Sequence, residues 1–282
     1  MKKLTLLLLA LLYVTLTYAY TERDLLQKQA DINRLKEILV LDRQWVTYPD
    51  YNDRASWDRF LGTFKDEYIR RGEKRLNYQW QVVKATDYLA FERTGNRQIM
   101  EKPFGANNGA IADLLMAELA EGKGRFVDQL INGVFNACEM TSWALAAHII
   151  VQPSHRALPA YDYPVIDLTS GDLGGLLAWT YHFMRPSFDK VDPEISRRLR
   201  HELQTRILDP YMNNDSFWWM GRNYNGRMLN NWNPWCNSNA LMCFMLLEDN
   251  RDTLAKAVHL TMESVDKFLN YIKADGACEE GP

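Results

Sequence analysis

Strand signals are nearly missing from these 282 residues. Runs of strict apolar–polar alternation bounded by turn residues scarcely occur, which excludes a fold built on sheets. The short motifs of several enzyme classes are missing too. The five histidines, His148, His155, His182, His201 and His259, form no His-Glu-x-x-His pair, so a catalytic zinc site of that type is excluded. There is no Gly-x-Ser-x-Gly elbow. Gly171 and Gly174-Gly175 follow no strand and precede no Lys-Ser/Thr, so they are not a phosphate loop. The four cysteines, Cys138, Cys236, Cys243 and Cys278, make no Cys-x-x-Cys pair and no metal spacing. Cys138 and Cys243 sit in apolar helical stretches and read as buried thiols. No metal and no cofactor is therefore expected.

An excess of positive charge is also lacking. The formal net charge is −3 and the isoelectric point is near 6.0, which argues against a general nucleic-acid or membrane-surface binder. An anionic ligand would have to be held by a local basic pocket. Beyond residue 19 no apolar run reaches the roughly 20 residues that a membrane helix requires, so no membrane anchor is expected.

The N-terminus has the order of a secretory signal. Lys2 and Lys3 precede an apolar run over 4–16, followed by Thr17-Tyr18-Ala19 with small residues at −3 and −1 of a cut after Ala19. No cysteine follows for lipid attachment. The expectation is a periplasmic or secreted protein, with residues 1–19 removed and residues 20–282 forming one helical domain.

Helical periodicity recurs along that domain. Helices are expected over 25–39, opened by Thr21 and Asp24, and over 54–71. Others should cover 87–93, ending at Gly95, and 110–120, ending at Gly122. A long one should run over 126–150. After Pro153, Pro159 and Pro164, helices should resume over 168–184, 193–211 and 235–247, with a last one after Asn250. The helices around Val134, Leu177 and Leu246 read as apolar almost all round, and the others as one-faced. A helix apolar on every side must be enclosed by protein. Inner helices with outer partners and short connections suggest an all-α, two-layer (α/α) toroid, with an ordinary layered bundle as the alternative.

Two stretches carry candidate chemistry. Between Phe217 and Asn239 lie seven asparagines and four tryptophans. Asparagines usually form turns and tryptophans usually fill cores, but flat aromatic faces beside amide donors also suit a carbohydrate cleft. Trp219, Arg222, Trp232 and Asn233 are the candidate sugar contacts, and Arg222 or Arg227 could pair with an acidic group. The second stretch runs from Cys138 to His148. There Glu139 and Trp143 share a helix face, whereas Glu139 and His148 would point apart on a straight helix. Asp162, Asp167 and Asp172 could supply a carboxylate pair for glycoside hydrolysis, although loop acids more often cap helices.

Three segments together resemble bacterial heparinase II/III-like proteins: Glu139-x-x-x-Trp143 ending at His148, Val165-Ile166-Asp167-Leu168 leading into Trp179-Thr180-Tyr181, and Asn230-Asn231-Trp232-Asn233. The Asp275-Gly276…Glu280-Gly281-Pro282 ending adds to the likeness. The resemblance implies an (α/α) toroid followed by a β-sandwich, cleaving uronic-acid-containing polysaccharide (heparin or heparan-like, another glycosaminoglycan, or a uronate polymer) by β-elimination. Asn231 matches the family's carboxylate-neutralising asparagine. His148 and Tyr224 are candidates for proton transfer, and Glu139 for substrate contact. Where relatives often have Asn-His, this chain has Asn231-Trp232. The family also implies a continuation past Pro282 that commonly supplies the catalytic tyrosine. The expectation is thus a toroid incomplete at its C-terminal end and inactive as the bare chain. A toroid glycoside hydrolase and a non-catalytic glycan binder are the competing readings.

Overall fold

The computed structural model describes residues 22–223, 228–272 and 276. The expected signal peptide, Tyr224, Arg227 and all but Gly276 of the 275–282 motif lie outside the described residues. Helix makes up 64% of the structure, and no strand occurs among the described residues. The helices are α1 (Ile32–Ile38), α2 (Arg54–Leu61), α3 (Lys65–Glu73), α4 (Ala85–Thr94), α5 (Gln98–Glu121), α6 (Val127–Glu139), α7 (Leu168–Val191), α8 (Pro193–Leu203), α9 (Asp209–Asn213), α10 (Trp232–Leu247) and α11 (Arg251–Leu269). A 3-10 turn at Gly62–Phe64 fuses α2 with α3, and a π-turn at Gln204–Leu208 fuses α8 with α9. Counted as continuous rods, nine helices result among the described residues.

Local chemistry sets several boundaries. Gly95 and Gly122 stop α4 and α5 in the left-handed conformation, φ 71° and 67°, which costs a glycine little. Asp192 ends α7 and starts α8: its extended backbone breaks the helix, its carboxylate accepts from Glu194 N–H, and Pro193 fills the first helical position. Short connections of this kind make α5/α6, α7/α8 and α10/α11 antiparallel hairpins. Helix α7 is central, packing against α5, α6, α8 and α10. A Cβ on Gly171, Gly174 or Gly175 would come within 3.2, 2.9 and 3.0 Å of Asn239, Ile207 and Asn239 respectively, so α7 meets its neighbours at close range.

The N-terminal segment laces these hairpins together. Backbone N–H groups of Leu26 and Gln27 donate to the buried Asp266 carboxylate at 2.9 Å, and Arg23 N–H donates to Asn270. Helix α1 packs Leu35 against Ala255 of α11. Arg43 then reaches Leu246 O at 2.8 Å, Trp45 and Tyr48 pack edge-on to Trp179, and Tyr51 donates to the buried Glu118 at 2.6 Å.

Three expectations change. The first helix is capped by Asp31 and begins at Ile32, not near residue 25. Helix α5 begins three turns earlier than its apolar pattern suggested. Pro103 removes only one bond near the start of α5, and the helix continues through it. The helix expected over 126–150 ends at Glu139. Its buried residues form a single stripe, so α5 rather than α6 is the long helix enclosed on several sides.

Candidate functional site

The break after Glu139 creates the site. Met140 turns extended, and the Trp143 indole N–H donates to Ala137 O at 2.9 Å, joining the Met140 N–H on the same carbonyl at the helix end. The chain is then tied down from a distance: Leu145 N–H donates to Asp167 Oδ2 at 3.0 Å. Asp167 is the N-cap of α7 and is fully buried. Its Oδ1 accepts from Ser170 N–H at 2.7 Å, and the Thr169 hydroxyl lies 3.1 Å from both oxygens. Into this carboxylate points His148, with Nδ1 2.7 Å from Oδ2.

The other ring nitrogen of His148 lies 3.3 Å from an Arg97 guanidinium nitrogen. Arginine can only donate, so Nε2 is the acceptor and Nδ1 carries the proton donated to Asp167. The buried carboxylate thus fixes the tautomer and leaves the Nε2 lone pair on the outward side. Arg97 is itself steered by Glu101, Nε to Oε1 2.6 Å.

Over His148 lies an aromatic strip. The Trp232 ring packs edge-on to the histidine, centroids 4.7 Å apart, and Trp218 lies 5.4 Å from Trp232. The 3-10 turn Trp218–Met220 sorts its two tryptophans. Trp219 turns inward, stacks on Phe217 and donates to Ile166 O at 2.9 Å, while Trp218 turns out and is 43% exposed. On α10, Trp235 follows Trp232 by three residues and is 45% exposed; residues so spaced share a helix face. Its indole N–H donates to Asp172 at 2.6 Å.

Of the expected site residues, His148 and Trp232 come together, and Asn231 is exposed at the start of α10 directly before Trp232. Four others do not join them as expected. Asn233 is fully buried, its Nδ2 donating to Trp219 O and Ser264 O at 2.7 and 2.9 Å. Trp219 is interior and offers no face to a ligand. Arg222 binds the carbonyls of Tyr211 and Met212 at the end of α9, and Asp215, so it latches a helix terminus. Glu139 ends α6 away from His148 and pairs with Arg198 at 3.3 Å. Tyr224 falls outside the described residues. Arg97, Trp218 and Trp235 were not singled out from the sequence. For the tryptophans the crowded stretch was a signal, but nothing local to Arg97 links it to a histidine 51 positions on.

No group of three His, Cys, Asp or Glu side chains among the described residues could hold a metal ion. The described cysteines are free and buried. Burial pushes the thiols of Cys138 and Cys243 up to about 12, and raises that of Cys236 as well, so none is a ready nucleophile. Compared with models of known protein families and with curated proteins, the chain matches none.

Proposed function

We propose that the His148–Trp232 face is the substrate site of an exported polysaccharide lyase acting on uronic-acid-containing glycan, on an (α/α) toroid scaffold. One observation carries the reading: a histidine whose tautomer is fixed by a buried carboxylate stands at the edge of a strip of three partly exposed tryptophans, beside an arginine. Sugar rings present apolar C–H faces to such indoles, and an arginine is the natural partner of a uronate carboxylate. With Arg97 engaged by that carboxylate, Nε2 of His148 is released to take the proton from C5. Charge then builds on the uronate carboxyl group, where Arg97 and the amide of Asn231 stabilise it. As the C4=C5 double bond forms the C4–O4 bond breaks, and the departing O4 takes a proton from the His148 imidazolium or from water.

Hydrolysis is the weaker reading because it requires two free carboxylates. Asp167 is fully occupied by donors, Glu139 is paired with Arg198, Glu101 with Arg97, and Asp172 already accepts from Trp235 and Asn239, so these residues offer no pair of free carboxylates. The deciding experiment incubates the full-length protein with a panel of uronate polymers and follows ultraviolet absorbance. Elimination leaves an unsaturated, absorbing product, whereas sugar release without absorbance would overturn the lyase assignment.

A further inference from the structure

The strip has a second half that proton transfer does not use. Two donors converge on Oδ1 of Asp172, the Trp235 indole N–H at 2.6 Å and Asn239 Nδ2 at 2.9 Å. Asn239 is seated against α7 where Gly171 and Gly175 lie; a Cβ there would come within 3.2 and 3.0 Å of it. The indole of Trp235 is therefore held in one orientation while its ring remains 45% exposed. Oδ2 of Asp172 receives no hydrogen bond from the described residues and is an acceptor only. A locked aromatic face beside a free carboxylate oxygen suits a hydroxyl-rich, uncharged sugar. The same oxygen repels a uronate or a sulfated ring.

The two ends of the strip therefore differ: the His148 end carries the Arg97 guanidinium, paired with Glu101, and the Trp235 end carries the Asp172 carboxylate with no cation on it among the described residues. We infer that Trp235, Asp172 and Asn239 form a subsite for a neutral sugar, selecting polymers in which uronate alternates with an uncharged residue over homopolymers of uronate. The inference rests on the proposed lyase site for the placement of the uronate. The subsite itself can be read by binding alone.

The test uses the full-length protein with hyaluronan, which alternates glucuronate with a neutral amino sugar, and polygalacturonate, which does not. Affinity is followed by tryptophan fluorescence and elimination by absorbance, with thermal melts for each variant. The wild type should prefer hyaluronan by about tenfold or more. Trp235→Ala should weaken hyaluronan binding about tenfold, as loss of a stacking platform does. Asp172→Asn keeps an oxygen for both donors and removes only the charge, so it should bring polygalacturonate at least about threefold closer to hyaluronan. Equal affinity of the wild type for both polymers would overturn the subsite. So would elimination whose polymer preference survives both substitutions, and that result would leave the lyase assignment standing. Binding that prefers hyaluronan through Trp235 and Asp172 with no unsaturated product would do the reverse.

Discussion

His148 and the backbone N–H of Leu145 share one oxygen of Asp167, at 2.7 and 3.0 Å, so a single buried carboxylate caps α7, folds the 140–148 loop and orients the candidate base. The two partners should separate on mutation. Asp167→Asn leaves donors facing a donor and should lower stability by about 1–3 kcal/mol along with activity. His148→Ala should change stability by less than that and reduce elimination by about a hundredfold or more. Urea denaturation and product absorbance measure the two effects. Near-normal turnover by His148→Ala would remove the histidine from the mechanism.

On the proposed role of Asn231 in charge stabilisation, Asn231→Ala should cut turnover about a hundredfold; a loss of stability matching the loss of activity, read by thermal melts, would make Asn231 structural instead. Trp232 lies between His148 and Trp218 and is half-buried. Trp232→Ala should therefore weaken glycan binding by about 1–3 kcal/mol and stability by less than the 3–5 kcal/mol typical of a core tryptophan. A large melting shift with unchanged affinity would make Trp232 a packing residue.

Asn233→Ala is expected to behave in the opposite way. It takes the donor away from the Trp219 carbonyl in the buried interior, so stability should fall by about 1–3 kcal/mol. Glycan affinity of the folded fraction should hold. Lost affinity at wild-type stability would return Asn233 to the binding site.

The three described cysteines give a chemical check on the core. Raised thiol values and burial mean that Cys138, Cys236 and Cys243 should resist alkylation at pH 8 in the native protein and react once it is unfolded in urea. Peptide mass spectrometry reads each position separately. Rapid native labelling of any of the three would mean that its helix opens locally.

Where structure follows from neighbours in sequence, the sequence was informative. Gly95 and Gly122 stop helices where their position suggests, and the i, i+4 stripe through Ile195, Leu199 and Leu203 is buried. Where a boundary depends on a distant partner it was not. The apolar run over 126–150 has the pattern of one helix, yet Leu145 N–H is taken by a carboxylate 22 residues on, and no local period encodes that. The same holds for the candidate site. Composition pointed to the tryptophan- and asparagine-rich stretch, but buried and exposed residues are interspersed among its described positions. Trp218 and Trp219 differ only in which side of a 3-10 turn they occupy.

Acid should act on the support beneath that site. Glu202 of α8 lies between Arg206 and Arg198, at 2.6 and 2.7 Å. Burial pushes its carboxyl up, but the two guanidinium groups outweigh this and hold it below the usual glutamate range. The same arginines donate to Cys138 O and Thr141 O, so they fasten the end of α6, where the 140–148 loop departs, to α8. A carboxyl that ionises more readily in the folded than in the unfolded protein contributes its full stabilisation above the unfolded value of about 4.3. That contribution is lost as pH falls through the lower folded value. Glu202→Gln should thus reduce stability by about 1–3 kcal/mol at pH 7, with the gap to wild type closing below about pH 4. Because the arginines lose their fixed partner, elimination should also weaken with Asp167 and His148 intact. Urea titrations from pH 3 to 7 on both proteins test the first part; a gap constant across that range would mean that the Glu202 charge contributes nothing to the fold.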